Sequence, residues 1–470
     1  MELEEQSKRL IAAGCDQAQG YVFARPLDVR QANAYLLGHT TITLWMGYSG
    51  QELAVINEVV ADFETRQLAI KVDVVGGIHD DRIIAALRDG DAPNVVSSFE
   101  SGNFGTYASA GGLVDLEPYL ERDMIDEDIF TTATRSYTRH AGRRWALPML
   151  ADAYGLYYNR QMFGAAGLSG PPRTMSELTA AAKRLTKRRP DGSLAVVGFN
   201  PLFGFYENAV SHFGHQFGAR WLNEAGESCL ATDPGWARML RWQRELIEWY
   251  GYEDLVRFGG EVGEEFSNDN AFEQGRLAMS LDGEWRIAFI AKNGSSVDYG
   301  AAPLPVDDPH PELYGSGFIN GTIIGIPASA SQRDEAWELI KYLTTNDAAL
   351  VKLANGLRNI PSTYRALRSP DLLRDPNLSV FMEIFAHPKS STPPITDAGT
   401  GYEDVLAAFA TRWQAGEVHD LARGLRAVDR EINAQLRVAA RRGLRPERKP
   451  ASGWRRGTMT APDLIPALSR

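Results

Sequence analysis

"TITLWMGYSGQELAVINEVVADFETRQLAIKVDVV", residues 41–75, contains the alternation that sets the architecture. "TITLWMG" (41–47) is β-branched and apolar and ends in glycine, the pattern of a strand and its turn. The next segment places Leu53, Ile56, Val59, Val60 and Phe63 at helical spacing, one apolar stripe along a helix. "AIKVDVV" (69–75) is a second strand, and "HDDRIIAALRDGD" (79–91) a helix stopped at Gly90. "PNVVSSF" (93–99) is a third strand, and "GTYASAGGLVDLEPYL" (105–120) completes the unit. Strands alternating with helices predict a parallel α/β layer covered by helices. Ligands of such sheets sit beyond the carboxyl ends of the strands. Gly47 to Glu52 and Ser97 to Phe104 are therefore the first places to look for a site.

At 470 residues the chain has room for two or three domains and a large core. Its 44% hydrophobic and 23% charged residues are an ordinary globular mixture. No apolar run approaches the ~20 residues of a membrane span. A net charge of −11 argues against nucleic-acid partners and anionic membrane surfaces, which attract positive charge. Cys15 and Cys229 allow at most one disulfide and have no zinc-type spacing; Cys229 reads as a small buried apolar residue. From about Asp152 to Asn293 a second block is rich in helix signals and aromatics, as in "GWARMLRWQRELIEWYG" (235–251). Short apolar strands return near Tyr299, and "QRDEAWELIKYLTT" (332–345) is an amphipathic helix. The chain leaves one α/β lobe, builds another and comes back, so a cleft is expected between them. The expected division is 39–150 with ~295–360 in lobe 1, and 151–294 with ~361–436 in lobe 2.

The most distinctive constellation is "FEQGRLAMSLDGEW" (272–285): a helix broken at Gly275, a strand, then a turn at Gly283 presenting Asp282 and Trp285. An aromatic face suits the C–H face of a pyranose, and carboxylates accept hydrogen bonds from its hydroxyls. The bland alternative is that Trp285 fills a core. "GRLAMSLDGEW" resembles the G-x-x-A-M-x-x-x-G-x-W signature of the carbohydrate-type extracellular solute-binding proteins of ABC importers. "WALPMLADAYGLYYNRQMF" (145–163) resembles their lobe-crossing strand ending in "YYN". "GTIIGIPASASQRDEAWELIKYLTT" (321–345) resembles the return strand and its helix, and "NGLRNIPST" (355–363) the G-x-x-P turn that follows. Residues 41 to about 436 carry the resemblance. It implies an α/β, two-lobed periplasmic-binding-protein-like fold with a hinged cleft, and a monomer that presents a sugar or polyol to ABC permease subunits. It implies no cofactor, no metal and no chemistry. Its strand-end loops would carry ligand contacts at Tyr48, Ser49, Glu52, Glu100, Ser101, Asp152 and Tyr154. Asp282, Trp285, Asn320, Gly321 and Arg358 would supply the rest. For each of these carboxylates the bland alternative is an exposed charge.

"GFNPLFGFYENAVSHFGHQFG" (198–218) adds Phe203, Phe205 and Tyr206 as cleft aromatics. His212 and His215 share a helical face there, but no patterned carboxylate or cysteine accompanies them as a metal site needs. "EEFSNDNAFE" (264–273) lacks calcium-loop spacing and reads as a solvated loop and cap. No nucleophile elbow, P-loop or dinucleotide fingerprint stands in a fitting context. The rival functions are an enzyme, whether phosphodiesterase or carboxylate glycosidase, and a sugar-sensing subunit that delivers its signal to a receptor.

Near the start, "AAGC" (12–15) looks like a lipoprotein cleavage box. "MELEEQSKR" is acidic, however, and only "LIAA" precedes the box as an apolar region, so a lipidated Cys15 is not expected. "LEEQSKRLIAAGCDQAQGYVFARPL" (3–27) instead resembles the last segment of EAL-type cyclic-di-GMP phosphodiesterase domains. Glu2 and Gln19 would fall at that family's active-site positions. Residues 1–38 are accordingly expected to be a remnant without a fold or activity of its own, since the last strand alone cannot close a barrel. Residues 443–470 are basic, with scattered Pro and Gly, and read as a disordered tail. The family resemblance implies an extracytoplasmic location, while no export pattern is visible in the sequence as given.

Overall fold

The computed structural model describes residues 38–99, 101–109 and 111–443. Glu2, Cys15, Gln19, Glu100 and the basic segment after Gly443 lie outside the described residues.

Chain order begins β1 (Thr40–Trp45), α1 (Gly50–Arg66), β2 (Ile70–Val75), α2 (Asp80–Asp89), β3 (Val95–Ser98), the alternation expected from 41–99. β1 pairs in parallel with both β2 and β3. The predicted stripe on α1 is buried at Ile56, Val59, Val60 and Phe63, with Leu53 half-buried. The left-handed Gly90 closes α2, its N–H donating to the Ala86 carbonyl.

The decisive element is β4 (Leu147–Asn159), thirteen residues buried almost throughout. Such a continuous apolar run suits a strand covered on both faces. Its first half pairs antiparallel with β8 (Ile319–Gly325), in a register that sets Asn320 opposite Asp152, and with β9 (Ile360–Pro361). From Tyr154 onward it pairs instead with β6 (Leu277–Gly283), Tyr154 opposite Gly283, and with β7 (Tyr299–Ala302). β5 (Leu194–Phe199) extends this second half alongside β6. One strand therefore belongs to two half-sheets, and the change of partners falls between Ala153 and Tyr154.

Two large cores flank this crossing. The first gathers Ile42, Leu44, Ile56, Val59, Phe63, Leu150, Trp337, Ile340 and Leu353 under β1, β4 and the helix Arg333–Thr345. The second gathers Leu156, Tyr157, Phe199, Trp236, Met279, Phe381, Tyr402 and Phe409. Residues 299–304 depart from the expected division: β7 pairs with the second half of β4, and Leu304 joins the second core. The main-chain ladder places them there, because β4 has already crossed. Cys229 is buried. No helix of the described residues is long and apolar enough to cross a membrane.

Candidate ligand-binding site

A cavity of about 550 Å³ lies where the first half-sheet, the second half-sheet and the β9 turn meet. Tyr48, Ser49 and Glu52 enter it from the β1–α1 connection, and Phe99 from the end of β3. Asp152 and Tyr154 come from the crossing point of β4, Asn320 and Thr322 from β8, and Asn359 from just before β9. The second lobe adds Glu207, Phe266, Trp285, Phe289 and Lys292. Seven residues expected from the sequence thus line one cavity: Tyr48, Ser49, Glu52, Asp152, Tyr154, Trp285 and Asn320.

The aromatic rings are fixed by their neighbours. Tyr48 meets Phe99 edge-on at 4.6 Å, and its hydroxyl lies 3.0 Å from that of Thr322. The Phe99 ring covers Gly47 so closely that a Cβ there would lie 2.2 Å from it; only glycine permits that contact. Tyr154 stacks on His212 at 3.9 Å and meets Trp285 edge-on at 5.4 Å. Trp285 remains half-buried, with its indole Nε1 lacking a hydrogen-bond partner. Phe266 and Phe289 pack together at 4.9 Å on the far rim.

The carboxyl groups are unusual in their protonation. Burial, reinforced by the Asp152 charge and opposed by Lys292, pushes Glu52 up to about 7. Burial likewise raises Asp152 to about 6, against stabilising hydrogen bonds from Glu284 and Asn359. The Asn359 amide donates to Asp152 at 2.7 Å and to Glu284 at 3.0 Å, while Glu284 accepts from the Ala153 N–H at 2.9 Å. Glu284 is fully buried, and burial followed by repulsion from Asp152 raises it well above the carboxylate range. On the other side, burial and then the Asp282 charge raise Glu207 to about 7. These groups accept hydrogen bonds when ionised and donate one when protonated, which suits a ligand rich in hydroxyls.

An uninterrupted fold of two half-sheets sharing one strand, with a cavity at the crossing, invites comparison with known proteins. The family described as bacterial extracellular solute-binding protein matches residues 49–350, well over half of the chain. The chain belongs to this family. Among curated relatives, the maltotriose-binding protein of Pyrococcus abyssi (strain GE5 / Orsay) is 24% identical over 287 residues, 60% of this chain and 58% of that protein. The sn-glycerol-3-phosphate-binding periplasmic protein of Brucella abortus (strain 2308) is 25% identical over 291 residues, 58% of this chain and 63% of that one. The chain thus spans roughly three-fifths of the length of these relatives. The solved structure of CpMnBP1 with mannotriose bound superposes with a TM-score of 0.75, covering 84% of this chain and all of that one at 21% identity. That likeness establishes the two-lobed fold.

Within this solute-binding fold, several expected contacts lie elsewhere. Asp282 is buried and committed to Arg286, its Oδ2 accepting from Nε at 2.6 Å, so the turn presents Trp285 and not Asp282 to the cavity. Phe205 packs on Tyr206 at 4.2 Å, away from the cavity, and Phe203 sits near Phe213 at 6.0 Å. The Tyr206 hydroxyl donates to the Gly263 carbonyl and accepts from the Ala271 N–H. With Tyr206 held at positive φ, the rings turn inward and Glu207 reaches the cavity in their place. Gly321 is needed for close strand packing, since a Cβ would lie 2.3 Å from the Tyr137 hydroxyl and 2.5 Å from the Leu150 carbonyl. Arg358, in a left-handed conformation at a helix end, donates to the Asn355 carbonyl and does not line the cavity. Ser101 is buried and positions Asn320, donating to its Oδ1 from Oγ at 2.6 Å and from N at 3.1 Å.

His212 and His215 have separate partners. His212 lies under Tyr154, neutral because burial lowers it to about 4, and His215 bridges the Ser391 and Ser316 hydroxyls. No group of three or more possible metal ligands occurs among the described residues. Sequence reasoning missed Phe99, Thr322, Glu207, Phe266, Phe289, Lys292 and Asn359 as lining residues. Two of these had a visible signal: Phe99 ends the third predicted strand, and Asn359 precedes the quoted "IPST" turn.

Proposed function

We propose that this solute-binding protein takes up a saccharide or related polyol in the cavity between its lobes, performs no chemistry on it, and delivers it by cleft closure to ABC permease subunits outside the cytoplasmic membrane. The observation that carries this reading is the interleaving of rings and polar groups from both sides of one cavity. Tyr48 and Phe99 approach from the first half-sheet, Tyr154 and Trp285 from the crossing and the second, with Glu52, Asp152, Glu207 and Asn320 between them. Aromatic faces cover the apolar face of a sugar ring while convergent polar groups bind its hydroxyls. The family is one of binding proteins, and its maltotriose-binding member supports the ligand class. A glycosidase would need two carboxyl groups facing one substrate. Glu52, Asp152 and Glu207 do face this cavity, so the reading of binding without turnover rests on the family and not on a lack of carboxyl groups.

The lobe boundary we propose follows the change of partners along β4 at Ala153 and Tyr154. A ligand touching both lobes favours the closed arrangement because it binds that state better. The test is calorimetry with saccharides and polyols, followed by recovery of the ligand and small-angle scattering with and without it. One ligand per chain, recovered unchanged, with a smaller radius of gyration when bound, is the expected result. Release of cleaved product by highly purified protein would overturn the binding-only reading.

A further inference from the structure

The charged groups of the cavity are unequal in number and in their state of pairing. The charged side chains lining it, among the described residues, are the carboxyl groups of Glu52, Asp152 and Glu207 and the amine of Lys292. No arginine lines it. The two arginines closest in sequence to lining residues are taken by other partners. Arg286, next to Trp285, is buried and donates to Asp282, to the backbone and side chain of Glu265, and lies 3.5 Å from Glu273. Arg358, next to Asn359, donates to the end of its own helix.

The backbone field of one helix on the cavity wall meets an acid of its own. The seventeen-residue helix α1 starts at Gly50 on the cavity wall, and its positive N-terminal end would attract an anion. Its first turn already carries Glu52, whose own carboxyl answers that dipole and sits in the field of Lys292. The lining thus holds three carboxyl groups against one amine, and of the three Asp152 and Glu207 lie off that helix. Both are raised by burial, so each gains from a neighbouring positive charge or hydroxyl and is penalised by another anion.

We infer that the cavity sorts solutes by charge, admitting neutral or amino-bearing saccharides and turning away phosphorylated and uronic ones, with Glu207 and Glu52 as the specificity-determining residues on its two sides. The inference rests on the saccharide reading above. It separates this chain from its relative that binds sn-glycerol 3-phosphate, although the two share 25% identity over 291 residues. A phosphate or uronate in the cavity would meet like charge with no free guanidinium to receive it.

The experiment is a thermal-shift screen, followed by calorimetry, of the glucose, mannose and galactose series. Each hexose is used in its neutral, 2-amino, uronic and 6-phosphate forms, with maltotriose, mannotriose and sn-glycerol 3-phosphate alongside. Binding confined to neutral and amino forms, with the anionic form of a bound sugar weaker by roughly 30-fold or more, is the expected result. In Glu207→Gln and Glu52→Gln proteins, checked for folding by circular dichroism, that ratio should narrow several-fold. An anionic form that binds as tightly as its neutral parent overturns the charge inference and leaves the saccharide reading standing. An unchanged ratio in both variants also overturns it. Binding of sn-glycerol 3-phosphate alone, or of no compound in the panel, overturns the saccharide reading itself and this inference with it.

Discussion

Two buried groups of carboxyl side chains lie on either side of Trp285, and they are stabilised in different ways. In one, Asp152 and Glu284 share the Asn359 amide and Glu284 also accepts from the Ala153 N–H, with no cation among those partners. In the other, Asp282, Glu265 and Glu273 surround the Arg286 guanidinium at 2.6 to 3.5 Å. Five consecutive residues, Asp282 to Arg286, feed both groups: Glu284 turns toward the crossing strand, Asp282 and Arg286 turn into the second lobe, and Trp285 is left facing the cavity. The first group has only neutral donors as partners; the second adds a countercharge, and burial followed by the charges of Asp282 and Glu207 pushes Glu265 up to about 10, so that it keeps a proton as well. A single sharp turn after a buried strand thus holds the aromatic wall of the cavity between two electrostatic anchors.

The largest effect should come from removing the countercharge. Arg286→Met leaves Asp282 and its neighbours buried without a cation, which costs about 3–5 kcal/mol. Urea unfolding measures it, and a loss under 1 kcal/mol would show that the pairing is incidental. Next comes the residue between the two groups. Trp285→Ala should weaken saccharide binding by about 2–4 kcal/mol while the fold survives, since a half-buried ring at a cavity wall leaves no closed void. Calorimetry and circular dichroism together decide; an unfolded variant whose residual folded fraction binds normally would make Trp285 a core residue.

The first group should be read through pH. Asp152 is raised from its ordinary value to about 6 and Glu284 is raised as well, so the folded chain holds protons that the unfolded chain releases above pH ~4. Their contribution to stability is therefore greatest at low pH, falls as pH rises through the unfolded values, and levels off once the folded groups ionise. The ligand-free protein should melt at a higher temperature at pH 5 than at pH 8. Glu284→Gln needs no proton and can still accept from the Ala153 N–H. It should lessen that dependence, the raised Glu52 and Glu207 keeping the remainder, and gain about 1 kcal/mol over the parent at pH 8. A variant with an undiminished pH slope would mean that the pair is not its source.

The smallest effect is expected from removing the N-terminal segment. Among the described residues, those lining the cavity lie between Gly47 and Asn359. Deleting residues 1–37 should change saccharide affinity by less than about twofold, within the usual range for sites that do not interact. Loss of binding would give the segment that resembles an EAL-domain terminus a working role in the cleft.

Periodicity and turn chemistry are local, and so they were legible without a structure. The strand–helix–strand unit of residues 41–75 follows from apolar spacing that no other element could satisfy as well. The half-buried Leu53 at the top of the α1 stripe is the small exception, packed at the edge of the first core. The rule that ligands sit beyond the carboxyl ends of parallel strands pointed to the Gly47–Glu52 and Ser97–Phe104 loops, which hold the lining residues Tyr48, Glu52 and Phe99, whereas Asp152 came from the family resemblance.

Which member of a local motif faces the ligand was decided elsewhere. "DGEW" offers Asp282, Glu284 and Trp285 together, and only the positions of Arg286, Asn359 and the Ala153 N–H determine that both acids turn inward. "FGFYEN" offers five polar or aromatic side chains, and of these Glu207 reaches the cavity while Tyr206 is held by its bonds to Gly263 and Ala271. The same holds for Arg358, which an open helix end claims before any solute can, and for residues 299–304, which follow β4 across to the second lobe. The sequence by itself determined the elements, their order, and the family of cavities they can form, because those depend on spacing along the chain. The tertiary structure alone decided which charges are paired and which are left facing the cavity, because a buried carboxyl takes the nearest donor in space, wherever in the chain that donor lies.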